Sequence, residues 1–523
     1  MLIPGASYDE LYRSFAWAFP KRLNMAAQVL DDWAESEPDR LAIIDMTSGR
    51  REISYGALFF LSLRVGAALT AAGVTAGDRV GVLLSQSALT AAAHAAIWRI
   101  GAISVPLFKL FRHDALESRV RDAGLSVAVS DEEGAAMLAA LSVRSILEAD
   151  LPEHPVPVPP VATGPETPAC LIYTSGTTGK PKGALHGHRM LTGHLPGVEL
   201  SHDLLGQPGD VIWTPADWAW IGGLFDVLMP GLALGVPVVA ARFPKFTAED
   251  AQRICKEAGV RNVFFPPTAL RMLKASDAAI PNLRSVASGG EPLGAEMLDW
   301  GRRAFCTTIN EFYGQTECNM VASSASTLFQ PRPGCIGKAA PGFRIGVIDE
   351  SGNEVADGDE GDIAIHRGAG SMMLEYWQRP DATAEKFRGN WMVTGDRGRW
   401  DKGYLRFVGR EDDVITSAGY RIGPGEIEDC LMTHPAVATV GVVGKPDPLR
   451  TEIVKAYVVL KTGAKASADD LKEYVKGRLS SYSYPREISF LEALPMTVTG
   501  KVIRKDLKAI ASAETQAEIG EQR

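Results

Sequence analysis

The chain has 523 residues, more than one compact hydrophobic core normally holds, so two to four structural units are expected. Hydrophobic residues make up 46% and charged residues 22%, which is ordinary for a globular protein and excludes a disordered or fibrous chain. The formal net charge of −9 argues against nucleic-acid binding as the main function. Six cysteines are scattered without a Cys-x-x-Cys pair, which favours reduced thiols in a cytoplasmic protein over disulfides or a cysteine-ligated metal.

Two segments bear on membrane association. Residues 1–19 lack the basic-then-apolar pattern of a signal peptide. Residues 218–241 carry a single charged residue, Asp226, but two prolines and four glycines interrupt them. We therefore expect a helix followed by a buried strand there, no membrane span, and a cytoplasmic location.

The first 130 residues alternate between strand-like and helix-like segments. Ser54 has the position of an N-cap, and Leu58, Leu61, Val65 and Leu69 follow it at helical spacing. Helices are predicted over 24–41, 54–72 and 88–100, and strands over 41–45, 78–84, 102–107 and 126–130. Strand–helix–strand repetition predicts a parallel sheet with helices on its faces.

The alternation resumes after a proline-rich linker at residues 151–168. Strands are predicted over 236–240, 262–265, 285–288 and 308–313, and helices over 248–257 and 295–305. From about residue 334, glycines and short β-like runs predict a small, mostly antiparallel β unit. A compact tail then follows, with predicted helices over 425–432 and 467–479 and predicted strands over 437–442 and 454–460.

The predicted fold class is α/β. A large N-terminal domain of parallel αβ sheets is expected over residues 1–411, including a β-rich subdomain at about 334–411. A smaller α+β C-terminal domain is expected over residues 412–523.

The segment from Thr174 to Gly183 is the strongest single motif. Its ten residues include four hydroxyl side chains, three glycines and two lysines, and they follow an apolar run, residues 169–173, that is typical of a strand. Glycines let backbone N–H groups approach a ligand, while hydroxyls and lysines add donors and positive charge. A polar turn is the alternative, but this density of donors favours a loop that closes over a polyphosphate. The spacing is not that of the usual P-loop.

Five further segments occur after this loop. They are Gly289-Gly290-Glu291-Pro292, Tyr313-Gly314-Gln315-Thr316-Glu317, Thr394-Gly395-Asp396 with Arg410, the run from Asp412 to Glu428, and the run from Pro495 to Lys505. Together with the loop they resemble, in order and rough spacing, the motifs of the adenylate-forming superfamily, which contains acyl-CoA synthetases, peptide-synthetase adenylation domains and beetle luciferases. The resemblance covers residues ~40–505, and six motifs in order are far more specific than one.

The resemblance implies an ATP site. Tyr313 would stack on adenine beside Gly290 and Glu291, and Asp396 with Arg410 would bind the ribose. Its implied ATP-binding residues are Thr174, Ser175, Gly176, Thr177, Thr178, Lys182, Gly290, Glu291, Tyr313, Gln315, Asp396, Arg410 and Arg421.

Three catalytic residues are also implied: Thr316 at the α-phosphate, Glu317 as a carboxylate ligand for Mg²⁺, and Lys501 as the cation that stabilises the transition state. Taken alone, Glu317 and Lys501 would be solvated charges, and only their place in the motifs reverses that interpretation. Arg504 and Lys505 are expected to be solvated, and Glu426 and Glu428 to stabilise a helix N-terminus.

The last two motifs imply a mobile C-terminal domain and a coenzyme A site. Asp412 matches the hinge about which that domain rotates between two half-reactions, and Gly419 matches the glycine that lets the pantetheine arm pass. Lys476 and Arg478 are candidate ligands for the phosphates of coenzyme A, although charges on a helix face are usually only solvated.

Residues 216–225 resemble the family's acid-pocket segment. Trp218, Trp220, Ile221 and Gly222 are therefore expected in the acyl pocket with Gly314, although the tryptophans could equally be core residues. Acetate-specific members carry Trp where Gly314 stands and Thr where Gly222 stands. The missing tryptophan is expected to open a pocket for several more carbons, which favours short- to medium-chain, branched or small cyclic acids over acetate.

The resemblance thus predicts an acyl-CoA synthetase that uses Mg²⁺, with ATP and coenzyme A as co-substrates. An adenylation enzyme that loads an acyl or aryl acid onto a carrier protein remains the alternative. Such enzymes are often fused to a carrier domain, and we expect none within the sequence up to Arg523. A luciferase-type oxygenase would share the same motifs, and a non-enzymatic homologue would be expected to lack Lys501, Glu317 or Asp396. The expected partners are small molecules, with no nucleic acid, and the oligomeric state stays open between a monomer and a homodimer.

Overall fold

The structure is a computed structural model that describes residues 2–156, 159–174, 181–243, 245–410, 413–417, 420–447, 450–479, 484–497 and 500–521. Within these ranges, the side chains of residues 416, 420, 421, 426 and 517–521 are not described.

The strands follow the chain in this order: β1 (Leu41–Asp45), β2 (Arg51–Ser54), β3 (Arg79–Leu83), β4 (Ile103–Pro106), β5 (Val127–Ser130), β6 (Arg144–Ile146), β7 (Pro168–Tyr173), β8 (Gly183–Gly187), β9 (Ile212–Trp213), β10 (Val238–Ala240), β11 (Asn262–Phe264), β12 (Ser285–Gly289), β13 (Ile309–Gln315), β14 (Cys318–Ser323), β15 (Lys338–Ala339), β16 (Ile345–Ile348), β17 (Gly361–His366), β18 (Glu375–Tyr376), β19 (Phe387–Arg388), β20 (Trp391–Asp401), β21 (Tyr404–Arg410), β22 (Ile415–Ser417), β23 (Tyr420–Ile422), β24 (Val437–Asp447), β25 (Thr451–Leu460) and β26 (Glu487–Phe490).

The α-helices are α1 (Tyr8–Ser14), α2 (Asp32–Ser36), α3 (Tyr55–Ala71), α4 (Ala88–Arg99), α5 (His113–Ala123), α6 (Glu132–Ala139), α7 (Arg189–Ser201), α8 (Ile221–Gly223), α9 (Met229–Ala233), α10 (Ala248–Glu257), α11 (Pro267–Ala275), α12 (Gly294–Phe305), α13 (Pro380–Glu385), α14 (Pro424–Met432), α15 (Ala468–Lys476) and α16 (Arg504–Glu521). Single π- or 3₁₀-helical turns occupy Ala27–Asp31, Glu148–Asp150 and Leu224–Leu228.

Two largely parallel sheets form the N-terminal part, as predicted. The first has the strand order β15-β14-β13-β12-β11-β9-β10-β1-β2, and the second has the order β18-β8-β7-β4-β3-β5-β6. Antiparallel pairing is confined to the β18-β8-β7 end of the second sheet and to both ends of the first. Helices pack on both, and the buried cluster between them contains Trp98, Trp218, Phe225 and Leu228.

Helix bounds follow from local capping chemistry. Ser54 Oγ accepts a hydrogen bond from Ala57 N at 3.3 Å, so α3 begins where the sequence predicts. Thr247 Oγ1 likewise accepts from Asp250 N, at 3.1 Å, and α10 occupies residues 248–257 with its apolar side buried.

A change of sheet occurs near the predicted domain boundary. The third sheet, β16-β17-β20-β19 with β21 beside β20, ends at Arg410, and the fourth, β23-β22-β25-β24 with β26 beside β25, begins at Ile415. The division at Asp412 stays a prediction, because this residue lies outside the described ranges.

Segment 218–241 contains α8, the π-helical turn, α9 and β10, which agrees with the expected helix and buried strand. Among the described residues, no helix has the length and apolarity needed to cross a bilayer. The cytoplasmic location stays a prediction.

Two expectations for the C-terminal domain are wrong. Arg504 is not simply solvated, because its guanidinium donates to Glu428 and lies 3.7 Å from Asp413 Oδ2. Glu428 also accepts a hydrogen bond from Val442 N at 2.8 Å, so it connects α14 to β24 instead of serving only the helix N-terminus.

Candidate active site

The carboxyl ends of β12 and β13 bring two of the sequence motifs together. These strands are parallel neighbours, with Gly289 paired to Phe312, so Gly290 and Tyr313 emerge side by side. Ligands of open α/β sheets bind where such strand ends diverge. Gly290 has φ +100°, a conformation that favours glycine and turns the chain away from the strand.

A hydrogen-bonded network joins Tyr313, Gln315 and Asp396. Tyr313 donates its hydroxyl to Asp396 Oδ2 at 2.5 Å, and Gln315 Nε2 donates to the same oxygen at 2.9 Å. Gln315 Nε2 also lies 2.8 Å from the carbonyl oxygen of Thr394. Arg410 is the cross-strand partner of Asp396 in the β20–β21 ladder, so residues fourteen apart in sequence lie side by side.

Asp396 is 7% exposed. Burial raises its pKa, while the hydrogen bond from Tyr313 and the charge of Arg410 oppose that shift. Its Oδ1 atom accepts no hydrogen bond from the described residues. One carboxylate oxygen is thus held by protein donors, and the other can accept a hydrogen bond from a ligand hydroxyl.

Thr316 and Glu317 form the turn between β13 and β14. Glu317 is 8% exposed; its Oε1 accepts a hydrogen bond from Tyr376, while Oε2 has no donor among the described side chains. Mg²⁺ in nucleotide sites takes one or two protein carboxylates, with substrate phosphates and water completing the shell. One buried, oriented carboxylate with a free oxygen fits that requirement.

Lys386 is a cation of this site that the sequence motifs do not include. Its Nζ lies 3.2 Å from the carbonyl oxygen of Thr394 and 3.4 Å from Gln315 Oε1. Burial lowers its pKa, while the carboxylates of Glu317 and Asp396 oppose that shift. Its position directly before β19, the antiparallel neighbour of the strand that carries Asp396, is the one signal that could have found it.

The phosphate loop lies at the end of β7. Thr174 N donates to the carbonyl oxygen of Lys182 at 2.9 Å, which closes the loop at its base. Lys182 Nζ lies 5.3 Å from the ring centroid of Tyr376, the residue that also contacts Glu317. Both loop ends therefore approach the Glu317 side of the site. The predicted ligands Ser175, Gly176, Thr177 and Thr178 lie outside the described residues.

Glu291 forms an ion pair with Arg271 of α11. Its carboxylate is thus oriented by a protein cation, and its predicted adenine-side role stays a prediction.

Lys501 reaches this strand end from the C-terminal part of the chain. A Cβ atom placed on Gly290 would lie 3.4 Å from Lys501 Nζ. Lys501 N donates to Thr497 Oγ1 at 3.0 Å, and Thr497 N donates to the Lys501 carbonyl oxygen at 2.7 Å, so a tight turn presents the ammonium group.

The other predicted C-terminal residues are described unequally. Asp412 and Gly419 lie outside the described residues, and only the backbone of Arg421, in β23, is described. Lys476 pairs with Glu473 at 2.8 Å, and the Arg478 guanidinium lies 3.5 Å from the ring centroid of Tyr474. Their contact with coenzyme A stays a prediction.

Trp218 and Trp220 of the predicted acyl pocket differ in their surroundings. Trp218 is 1% exposed in the buried cluster between the sheets. Trp220 is partly exposed and packs on Phe108 and Phe111, with ring centroids 5.4 and 5.9 Å away. Ile221 packs against the same buried cluster as Trp218.

The structure does not have the expected opening beside Gly314. A Cβ atom there would lie 2.4 Å from Met320 N and 2.6 Å from Asn319 Oδ1, so β14 fills that direction. A Cβ atom on Gly222 would lie 3.0 Å from the Phe264 ring. Neither absent side chain leaves a simple void.

Known proteins resemble the whole chain. Residues 30–377 match the family model "AMP-binding enzyme", and residues 426–501 match "AMP-binding enzyme C-terminal domain". The acetyl-coenzyme A synthetase of Bacillus subtilis (strain 168) is 33% identical, over 96% of this chain and 95% of its own. The mitochondrial acyl-coenzyme A synthetase ACSM4 of Rattus norvegicus is 32% identical, over 94% of this chain and 90% of its own.

Solved structures agree. The Brucella canis acyl-CoA synthetase has a TM-score of 0.73 and 32% identity, covering 99% of this chain and 100% of its own. The ATP-bound MatB from Rhodopseudomonas palustris has a TM-score of 0.84 and 27% identity, covering 94% of this chain and 99% of its own. The chain therefore belongs to the AMP-binding enzyme family, in its acyl-CoA synthetase branch.

Proposed function

We propose that the protein is an AMP-forming acyl-CoA ligase that activates a small carboxylic acid in two steps. The observation that carries this is the convergence of Lys501, Gly290 and the Tyr313–Gln315–Asp396 network at one strand end. It brings candidate nucleotide ligands together with a cation from the C-terminal part of the chain, which is what adenylation needs.

In the first step, a carboxylate oxygen of the acid attacks the α-phosphorus of ATP. The bond from that phosphorus to the bridging oxygen breaks, and pyrophosphate leaves with its electrons. Thr316 and Lys501 donate to the oxygens on which negative charge develops. Asp396 and Arg410 hold the ribose, and the Thr174–Gly183 loop holds the β- and γ-phosphates.

Glu317 would hold Mg²⁺ through Oε2, and the ion would neutralise phosphate charge there. Tyr376 orients that carboxylate through Oε1. These roles explain why a buried glutamate has one satisfied and one open oxygen.

In the second step, the thiol of coenzyme A attacks the acyl carbon of the adenylate. The thiol proton is lost, the bond from the acyl carbon to the phosphate oxygen breaks, and AMP leaves. Lys501 withdraws as the C-terminal domain rotates about Asp412, and Gly419 lines the thiol's path. Catalysis is positioning and charge stabilisation, without a protein nucleophile.

The acid is a short- to medium-chain, branched or small cyclic one in preference to acetate. The glycines at 222 and 314, where acetate-specific members carry threonine and tryptophan, support this size class, although Phe264 and β14 occupy the space directly beside them.

Pyrophosphate release with a panel of acids tests the first step, and AMP and thioester formation on adding coenzyme A tests the second. We expect both, with kcat/KM lower for acetate than for four- to eight-carbon acids. Adenylate accumulation without thioester would overturn coenzyme A as the acceptor, and a preference for acetate would overturn the size class.

A further inference from the structure

A buried carboxyl–amide pair lies against both glycines of the predicted acyl pocket. Asn319 Nδ2 donates to Asp226 Oδ1 at 2.6 Å, and the two residues are 4% and 2% exposed. A Cβ atom on Gly222 would lie 3.6 Å from Asp226 Oδ2, and one on Gly314 would lie 2.6 Å from Asn319 Oδ1. The two missing side chains therefore bring this pair to the pocket wall.

Asp226 is incompletely satisfied. Its Oδ2 atom accepts no hydrogen bond, and no Lys or Arg forms an ion pair with it, in the part of the chain that the structure describes. Burial raises its pKa well above the ordinary range, and the hydrogen bond from Asn319 only opposes that shift. The residue as a whole is 2% exposed, and a carboxyl group in so apolar a setting calls for a hydrogen-bond partner on each oxygen.

The backbone is strained at Met320, directly after Asn319. Met320 has φ +56°, which a side-chain-bearing residue rarely adopts, and its N atom is the one that closes on Gly314. Asn319 follows Glu317 by two residues on the same hairpin. Strain of this kind persists where the surroundings enforce it, and it concentrates at ligand sites.

The side chain nearest to Gly222 is aromatic, and an unpaired donor lies in the same buried cluster. Phe264 and Phe312 pack with ring centroids 5.1 Å apart, and both share a buried cluster with Trp218. The indole Nε1–H of Trp218 has no acceptor among the described residues. An entirely aliphatic occupant would leave these polar groups unsatisfied.

We propose that Asp226 and Asn319 form the polar end of the acyl pocket and select an acid whose tail carries a hydroxyl or amino group over an aliphatic acid of equal size. That group can hydrogen-bond with Asp226 Oδ2 whether the carboxyl is protonated or ionised, and no residue of the described chain makes that bond. This inference rests on the proposed function.

The test compares acids that match in size. We would measure kcat/KM for pyrophosphate release with pentanoate, 4-hydroxybutanoate and 4-aminobutanoate, and with 4-methyl-, 4-hydroxy- and 4-aminobenzoate. We expect a hydroxy or amino member to exceed its methyl counterpart by about tenfold or more in at least one set, because a site built to hydrogen-bond rejects analogues without the donor. Equal or better turnover of the methyl member in both sets would overturn the inference and leave the proposed function intact. No pyrophosphate release with any acid would overturn both.

Two variants assign the preference to these residues. Replacing both partners, Asp226→Leu with Asn319→Leu, should reverse the preference towards the methyl members, since removing both members of a buried pair is tolerated better than removing one. Asp226→Asn keeps the shape; with its one oxygen held by Asn319 it presents an amide N–H in place of Oδ2. A hydroxyl can accept from that N–H and an ammonium cannot, so the preference for hydroxy acids should remain while that for amino acids should be lost. The assignment would be contradicted if the preference for hydroxy acids persisted in the double variant. It would also be contradicted if Asp226→Asn lost as much of that preference as the double variant does. Thermal unfolding is measured for each, and the wild-type panel decides the inference even where the double variant does not fold.

Discussion

Lys501 of the C-terminal domain lies against Gly290 of the N-terminal domain, with its Nζ 3.4 Å from the point that a Cβ would occupy there. The preceding residue is packed just as closely, since a Cβ on Gly500 would lie 2.1 Å from Thr268 Cγ2. The domain arrangement therefore places the lysine at the end of β12, beside the nucleotide network, which is the geometry expected for the first half-reaction.

Lys501→Ala should separate the two half-reactions. We expect adenylation to fall by roughly 10²–10³, because the variant removes a cation that acts on developing phosphate charge. Thioester formation from supplied acyl-adenylate should remain, since the proposed domain rotation withdraws Lys501 before that step. Pyrophosphate release and thioester formation from the adenylate measure the two steps independently.

Lys505→Ala is the matched control. Lys505 is an exposed lysine four residues later in α16, and its loss should leave both half-reactions unchanged. Equal losses in both half-reactions for Lys501→Ala would refute the role of domain rotation.

Gly290→Ala should impair adenylation more than its cost in stability explains. The residue has φ +100°, and the new methyl group would contact the Lys501 ammonium. Gly368→Ala is the control, because Gly368 has φ +93° but no neighbour within 4 Å of the added Cβ. Each variant should lose about 1 kcal/mol of unfolding free energy. Urea unfolding and pyrophosphate release measure the two effects, and equal activity in both variants would contradict the contact with Lys501.

Lys386 should make ATP binding depend on pH. Burial lowers its pKa, so the ammonium loses its proton at a lower pH than an exposed lysine does. The KM for ATP should therefore rise as pH increases through this lowered pKa. Lys386→Arg keeps the charge throughout and should flatten that rise. Lys386→Met should raise the KM roughly tenfold below the pKa of the lysine, as expected for a charged hydrogen bond, and the difference from the wild type should shrink above it.

Steady-state KM values for ATP across an alkaline pH series check this, with Lys256→Met, an exposed lysine in α10, as the neutral control. Identical pH profiles for the wild type and Lys386→Arg would rule out a charge role for Lys386.

Local patterns predicted those elements that have a local signal, such as an apolar run or a capping residue. The sequence places β1 and α10 at the observed bounds, because apolar spacing and a capping threonine are local signals. The sequence predicts no helix where α7 lies. This helix is buried on all sides and contains Pro196, so neither amphipathic spacing nor composition indicates a helix there.

The residues of the candidate site also divide into those that the sequence predicts and those that it misses. Tyr313, Gln315 and Asp396 are found by their motifs, and the structure joins them. Lys386 is missed because lysines are usually solvated, and only the return of the chain through β20 brings it to Gln315. The pocket around Gly314 differs from the expected opening because β14 approaches closely and fills the space of the absent side chain. The residue type at one position does not reveal such an approach.

Breaking the Arg504–Glu428 pair should destabilise the C-terminal domain. The two side chains are 26% and 16% exposed, and Glu428 also accepts from Val442 N. Arg504→Met removes the cation and leaves a largely buried carboxylate, so the free energy of unfolding should fall by about 2–3 kcal/mol. Removing the exposed Lys472–Asp469 pair by Lys472→Met should cost at most about 0.5 kcal/mol. The double variant Arg504→Met with Glu428→Gln should recover part of the loss, because the unpaired charge is gone. Urea unfolding of all three measures these differences, and an Arg504→Met midpoint equal to that of Lys472→Met would show that the pair carries no net stability.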